Sequence, residues 1–260
     1  MRHVWITGAG RGIGAAIALA FAKEGAHLSL SGRNLSALSA QKKLLEQASP
    51  NVKVHLSVMD LADADAVLAA HKSNHEAFGP VDVLINNAGQ AVSQPFAKTD
   101  MALWQQMLNV NLTGTYLCIQ AALPDLLIAG AQGKAARIVN IASTAGLKGY
   151  AYVAAYAAAK HGVMGLTRSQ ALELARKGVT VNAVCPGFTE TSMVLESIAN
   201  IVAKTGQSEA QAREALVTHN PQKKMIQPEE VAQCVMWLCS EAATSVNGQA
   251  IAIDGGETVS

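Results

Sequence analysis

A single α/β domain built on a doubly wound parallel sheet is predicted by three features of this 260-residue sequence. Short β-rich runs alternate with long helical patterns along the chain, the signature of βαβ units. Several of those runs are almost wholly apolar, as strands become when helices cover both faces of a sheet. A glycine-rich turn, TGAGRGIG (Thr7 to Gly14), joins the first run to the first helical stretch.

The elements follow in order. HVWIT (3–7) is the first strand, and AAIALAFAKEG places a helix over 13–24. HLSLS (27–31) and a helix over 35–48 come next, then VKVHLSV (52–58) with a helix over 63–78. VDVLIN (81–86) is followed by a long helical run, 100–129, and RIVNIAS (137–143) by a helix over 152–176. VTVNAVC (179–185), a helix over 228–240 and QAIAID (249–254) complete the alternation. Residues 188–227 are helical in pattern but stand outside it. They follow the C-terminal end of a strand, where such sheets bind ligands, so a small lid is expected there. No Pro/Ser-rich linker or internal repeat divides the chain, so 1–260 reads as one domain.

Half of the residues are apolar, 15% are charged and the formal net charge is +1, which supports a large core. Such a balance offers nothing to nucleic acid or to a charged surface. The N-terminal MRHVWITGAG has no long apolar segment, so no signal peptide is expected. The uncharged run Met101 to Pro124 carries Gln105, Gln106, Asn109, Asn111 and Gln120, and reads as a buried helix, not a membrane span. Cys118, Cys185, Cys234 and Cys239 lack CxxC spacing and read as buried free thiols of a cytoplasmic protein.

Two stretches carry chemistry. In TGAGRGIG the glycines let the backbone approach a pyrophosphate at a helix N-terminus, with the spacing Gly8-x3-Gly12-x-Gly14. In VAAYAAAKHGVMG (153–165), Tyr156 and Lys160 stand one helical turn apart on one face. Free tyrosine, with a pKa of about 10, is a poor proton donor or acceptor near neutrality. A cation within a few ångström favours the phenolate and lowers that pKa by roughly 1–3 units, which is the part expected of Lys160.

The ordered set of TGxxxGIG, NNAG (86–89), NVNLTG (109–114), Ser143, YxxxK and VCPGFTET (184–191) resembles the short-chain dehydrogenase/reductase family over about residues 3–255. The resemblance implies a Rossmann-type domain that moves a hydride between NAD(P)(H) and a ketone or secondary alcohol. Its wording is most similar to 3-oxoacyl-thioester reductases and aromatic polyketide ketoreductases. QAVSQPF after NNAG lacks the Pro-Gly-Gly of the polyketide enzymes, which weakens that side. Alternatives are a dehydrogenase of a cyclic or aromatic alcohol or a hydroxyacyl-CoA and, outside catalysis, a dinucleotide-sensing regulator.

By resemblance, Tyr156 is the acid/base, Ser143 holds the substrate oxygen, Lys160 holds the nicotinamide ribose, and Asn111 holds a water that links Lys160 to solvent. Ser143 and Tyr156 are then also the substrate-binding residues. The cofactor-binding set is Gly8, Gly10, Arg11, Gly12, Ile13, Gly14, Arg33, Asp60, Leu61, Asn87, Ala88, Gly89, Tyr156, Lys160, Pro186, Gly187, Thr189 and Thr191. A homotetramer formed through the 100–129 and 152–176 helices is implied, with an acyl-carrier protein or coenzyme A as a further partner near Lys134 and Lys177.

NADP(H) is the expected cofactor, with NAD(H) as the alternative. NAD-dependent sites place an acid at the end of the second strand, roughly 20 residues past the glycines. Here LSLSGRN puts Gly32 and Arg33 there, and a guanidinium suits a 2′-phosphate. His71 and His75 have the i, i+4 spacing of metal ligands, but neither a Cys nor a third His completes a set in sequence. HKSNHE is therefore read as a solvated face and no metal is expected. His161, next to Lys160, points elsewhere on its helix and is given a packing role.

Overall fold

The computed structural model describes residues 1–259, apart from the side chain of Lys204. Among these residues, seven parallel strands form one sheet: β1 (His3–Thr7), β2 (His27–Gly32), β3 (Val54–Val58), β4 (Val83–Asn86), β5 (Ala136–Ile141), β6 (Val179–Pro186) and β7 (Ala250–Ile253). Their order is β3-β2-β1-β4-β5-β6-β7, so the winding reverses between β1 and β4. The register pairs Val4 with Leu28 on one side of β1 and with Val83 on the other. A crevice opens where winding reverses, beyond the C-terminal ends of the strands.

Alternation along each strand feeds two cores. Val4, Ile6, Leu28, Leu30 and Ile85 meet α1 (Gly12–Lys23), α2 (Leu35–Ala48) and α9 (Pro228–Leu238) through residues such as Phe21, Leu38 and Val235. Trp5, Leu84, Ile138 and Val181 face α3 (Ala64–Phe78), α5 (Gly114–Ala131) and α6 (Ala154–Leu174) through Val67, Ile119, Leu126 and Leu174. Trp5 is fully buried, and its indole N–H donates to Ser31 Oγ at 2.7 Å. The doubly wound single domain expected from the sequence is the one observed.

Several boundaries move. The third and fourth strands begin two residues later than expected, and the fifth ends at Ile141, which leaves Ser143 in a loop. The helical run 100–129 is not continuous. It divides into α4 (Met101–Leu108), a π-turn (Asn109–Thr113) and α5. The widened turn points Asn111 inward, where it is fully buried, and such turns recur at functional sites. Met101–Ala131 is long and apolar enough to cross a membrane, yet Cys118, Ile119, Ala122, Leu126 and Ala129 of this stretch are packed into the second core.

The segment 188–227, for which a lid is expected, is helical as its pattern predicts, with α7 (Ser192–Thr205) and α8 (Glu209–Leu216) packed around Ile198, Ala212, Val217 and Met225. Glu190 fastens it, accepting from Arg213 Nη1 at 3.0 Å and from Gln227 Nε2 at 3.1 Å. All four cysteines are free thiols.

The turn after β1 requires glycine at Gly8 (φ 65°) and Gly12 (φ 57°), both left-handed. Gly14 is required for space: a Cβ there would strike the Gly8 carbonyl oxygen and lie 2.5 Å from Asn87 Nδ2. Gly14→Ala is therefore expected to destabilise the fold by about 1–3 kcal/mol through overpacking. Urea unfolding measures this; a midpoint equal to wild type would contradict the close approach.

Candidate active site

Every residue of the expected site lies at or just past the C-terminal ends of β1, β2, β3, β4, β5 and β6, or on α6 and the π-turn beside them. α6 owes its position to small side chains. A Cβ on Gly162 would sit 2.7 Å from Leu112 Cδ2 of the π-turn, and one on Gly146 would sit 2.9 Å from the Lys160 carbonyl. These two glycines bring the π-turn and the Ser143 loop into contact with the Tyr156–Lys160 face.

Ser143 caps a short 3₁₀ turn, its Oγ accepting from Ala145 N–H at 3.1 Å, and its hydroxyl hydrogen-bonds Tyr156. Lys160 is buried, donates from Nζ to the Ile141 carbonyl at 2.9 Å, and stands 5.7 Å from the centre of the Tyr156 ring. Asn111 donates from Nδ2 to the carbonyls of Gln90 (2.9 Å) and Met107 (3.0 Å), and its Oδ1 accepts from Gln90 N–H at 3.1 Å. Gly89 lies between them: a Cβ there would be 2.7 Å from Asn111 Oδ1 and 3.7 Å from Lys160 Nζ. The four expected catalytic residues thus form one cluster.

The electrostatics differ from expectation. Burial pushes the Tyr156 hydroxyl above its ordinary value, and the Ser143 hydrogen bond opposes this only in part. Burial also brings Lys160 down to about 8 from 10.5. The reason is mutual: an ammonium that is desolvated and committed to a backbone carbonyl is a weak stabiliser of a phenolate beyond it. In the chain alone Tyr156 is a retained acid.

The dinucleotide positions form a continuous cradle. Thr7 Oγ1 accepts from Asn87 N–H and Ala88 N–H, both at 3.0 Å, and Asn87 Nδ2 donates to the carbonyls of Thr7 (3.0 Å) and Gly8 (3.1 Å). This joint holds Gly8, Gly12 and Gly14 at the start of α1, with Ile13 packed against the core and Gly10 close to Ala37. At the far end of the sheet, Asp60 Oδ1 accepts from Ala62 N–H at 2.9 Å, with Leu61 buried beside it. Pro186 ends β6, Gly187 N–H donates to the Ile253 carbonyl at 3.0 Å, and Thr189 Oγ1 donates back to the Gly187 carbonyl at 3.0 Å. Thr191, heading α7, lies over the turn, 3.0 Å from a Cβ built on Gly12. A cradle that a methyl group would fill suits a pyrophosphate in close backbone contact.

Arg11 and Arg33 are exposed. Arg11 pairs with Glu196 of α7 at 3.4 Å, while Arg33 makes no ion pair among the described residues. Gly32 is open: a Cβ would make only ordinary contact with Leu38, at 3.7 Å.

Thr7 and Gln90 were missed from sequence, as were Lys148, Tyr150 and Glu257. Tyr150 donates to Glu257 Oε1 at 2.6 Å and Lys148 donates to the Glu257 carbonyl at 2.9 Å, tying the loop after Ser143 to the C-terminal segment. Partners so far apart in the chain leave no local pattern. Lys134 is engaged with Asp82 at 3.5 Å. His161 is exposed and bonds the Ala157 carbonyl at 2.9 Å, so the packing role expected for it is replaced by a bond within its own helix.

Fold and site together define a dinucleotide-binding oxidoreductase with a Ser-Tyr-Lys cluster. The comparisons name the family. Residues 2–201 match the short chain dehydrogenase model, and the chain belongs to that family. It is 35% identical to levodione reductase of Leifsonia aquatica, over 99% of this chain and 94% of that protein. It is 37% identical to a putative ketoacyl reductase of Streptomyces coelicolor, over 96% and 95% of the two chains. The levodione reductase crystal structure superposes with a TM-score of 0.93, at 35% identity and covering 100% and 98% of the two chains. A variant of actinorhodin polyketide ketoreductase with NADPH superposes at 0.91, 35% identical and covering 99% and 97%. The protein is an oxidoreductase that interconverts CH–OH and ketone groups with a nicotinamide dinucleotide, which sets aside the regulator reading.

The buried lysine carries a pH signature. Between about 8 and 10.5 the unfolded chain holds a proton at Lys160 that the folded chain has released, so this group makes stability rise with pH across that window. Urea unfolding from pH 8 to 10.5 should show wild type gaining on Lys160→Met. A difference that stays constant with pH would contradict the burial of this ammonium.

Proposed function

We propose that the protein is an NADP(H)-dependent ketoreductase whose substrate is a 3-oxoacyl thioester. The observation that carries the cofactor preference is the end of β2, where Gly32 leaves open space and the Arg33 guanidinium stands exposed beside it. A 2′-phosphate accepts a charge-assisted, bidentate contact from such a group, and no carboxylate stands at Gly32 to repel it. Arg11 is a second cation, since its pairing with Glu196 is exposed on both sides and exchangeable.

The nicotinamide supplies the hydride. Gly8, Gly10, Gly12, Ile13 and Gly14 would hold the pyrophosphate, Asp60 and Leu61 the adenine end, and Asn87, Ala88 and Gly89 the ribose side. Pro186, Gly187, Thr189 and Thr191 would close over the nicotinamide. Ser143 and Tyr156 meet the substrate oxygen, where negative charge develops in the transition state. Tyr156 gives its proton to that oxygen, and its raised pKa keeps the acid form available. Lys160 holds the ribose and, with its pKa near 8, passes a proton back to the phenolate. Asn111 organises the exit of that relay toward solvent.

The thioester reading is supported by the similarity to the putative ketoacyl reductase; the levodione reductase similarity supports a second reading, a ketone without a thioester. A homotetramer fits the exposed Tyr116, Ile128 and Leu172 on α5 and α6. A cytoplasmic setting fits the free thiols. A carrier protein or coenzyme A would approach through exposed Lys177, since Lys134 is already paired.

Tyr156→Phe is expected to lower kcat by about 10²–10⁴-fold while NADP(H) still binds. Lys160→Ala should reduce both rate and cofactor affinity, read by kinetics and fluorescence titration; a variant with normal affinity would remove the ribose contact. kcat/KM should favour NADPH over NADH, and Gly32→Asp/Arg33→Ala should erase or reverse that preference. A wild-type enzyme faster with NADH would refute the cofactor assignment. A panel of 3-oxoacyl thioesters, cyclic ketones and aromatic ketones decides the substrate class, and thioesters should give the highest kcat/KM.

A further inference from the structure

The helix face that the sequence marked as solvated is packed against α5. His71 lies one turn before His75 on α3, and Asp125 of α5 reaches between them. His71 Nε2 is 2.9 Å from Asp125 Oδ2, and His75 Nδ1 is 3.0 Å from Asp125 Oδ1. The three ligand atoms all lie within 4.8 Å of one another.

We propose that His71, His75 and Asp125 form a binding site for a divalent transition ion of the zinc class. Zinc bonds of about 2.0–2.2 Å to nitrogen and oxygen hold ligand atoms roughly 4 Å apart or closer. The cluster reaches that span with less than ~1 Å of movement, and one member faces solvent with room to shift. The His75 side chain is 44% exposed, whereas His71 (13%) and Asp125 (4%) are held by the seam. Two nitrogen donors and one carboxylate suit zinc, cobalt or nickel better than calcium or magnesium, which take oxygen ligands.

The surroundings orient the ligands. Val81 N–H donates to Asp125 Oδ2 at 3.0 Å, fixing the carboxylate, and the His71 ring lies 5.8 Å from the Trp5 ring. Such outer contacts position metal ligands in known sites. The exposed side of His75 leaves the remaining coordination position to water. Asp125 supplies one negative charge against the ion's two, and the imidazoles would bind through the same nitrogens that now face the carboxylate.

The location separates this site from the reaction. Val81 precedes β4, so the cluster lies at the N-terminal edge of the sheet, opposite the Tyr156 crevice. An ion here joins α3 to α5 and, through Asp125, to the turn before β4. It acts as a structural brace.

The test uses the full-length protein after chelator treatment and dialysis, titrated with Zn²⁺ by calorimetry and with Co²⁺ by visible absorption. One site per chain in the micromolar range is expected, with cobalt d–d bands and no thiolate charge-transfer band. His71→Gln and His75→Gln should each weaken binding at least tenfold and abolish a zinc-dependent rise in Tm, with ketone turnover unchanged. His161→Gln should bind as wild type does. Asp125 is left intact because its carboxylate also caps the Val81 N–H. Wild-type affinity no higher than that of the His71→Gln/His75→Gln double variant, or a cobalt spectrum dominated by thiolate, would overturn the proposal.

Discussion

The Lys160 ammonium lies inside the protein with the Ile141 carbonyl as its hydrogen-bond partner, and the arrangement of α6, the end of β5 and the π-turn answers to it. Removing an ammonium from water costs several kcal/mol, and one neutral carbonyl offsets that only in part. The shortfall appears as the lysine's low pKa, near 8. A lysine in that range exchanges protons readily close to neutrality. Its neighbours are packed closely around it: a Cβ on Gly89 would lie 2.7 Å from Asn111 Oδ1 and 3.7 Å from Nζ, so only glycine lets the β4 loop come this near. The same burial raises the Tyr156 hydroxyl, so the cluster holds a phenol that keeps its proton beside a lysine of lowered pKa.

The sheet places these groups by a second device. Where winding reverses, the Thr7 hydroxyl and the Asn87 amide stitch the end of β1 to the end of β4 with hydrogen bonds of 3.0–3.1 Å. That joint fixes the glycine turn against the β4 loop, and Gly14 lets the Gly8 carbonyl come close enough to be held. One side of the joint carries the candidate pyrophosphate cradle; the other continues through Gly89 to Asn111. The candidate cofactor cradle and the Asn111–Lys160 cluster therefore meet at one hydrogen-bonded joint.

The helical segment 188–227 is held differently. Its own core of Ile198, Ala212, Val217 and Met225 is small, Glu190 ties Arg213 and Gln227 together within it, and the segment reaches the body through Ile226 and the Arg11–Glu196 and Lys224–Glu230 pairs. Exposed ion pairs of this kind contribute little and exchange partners easily. The Arg11–Glu196 pair is the contact by which the glycine turn meets the start of α7.

Much of this was legible in the chain. Apolar strands alternating with helical periods determined the doubly wound sheet, because both faces must be covered. The glycine spacing determined the turn, and the i, i+4 spacing of Tyr156 and Lys160 their shared face. The end of β2 was readable because Gly32 and Arg33 are adjacent. Contacts between distant segments were not legible. Asn111 turns inward through a π-turn that helical periodicity reads as ordinary helix. Glu257 meets Tyr150, and Asp125 meets His71, across separations no local pattern records. The phenol's pKa also belongs to the tertiary structure, since spacing predicted that Lys160 would lower it and burial raised it instead. Local sequence sets periodicity and turn geometry through neighbouring residues, whereas desolvation and long-range partners exist only once the helices have closed over the sheet.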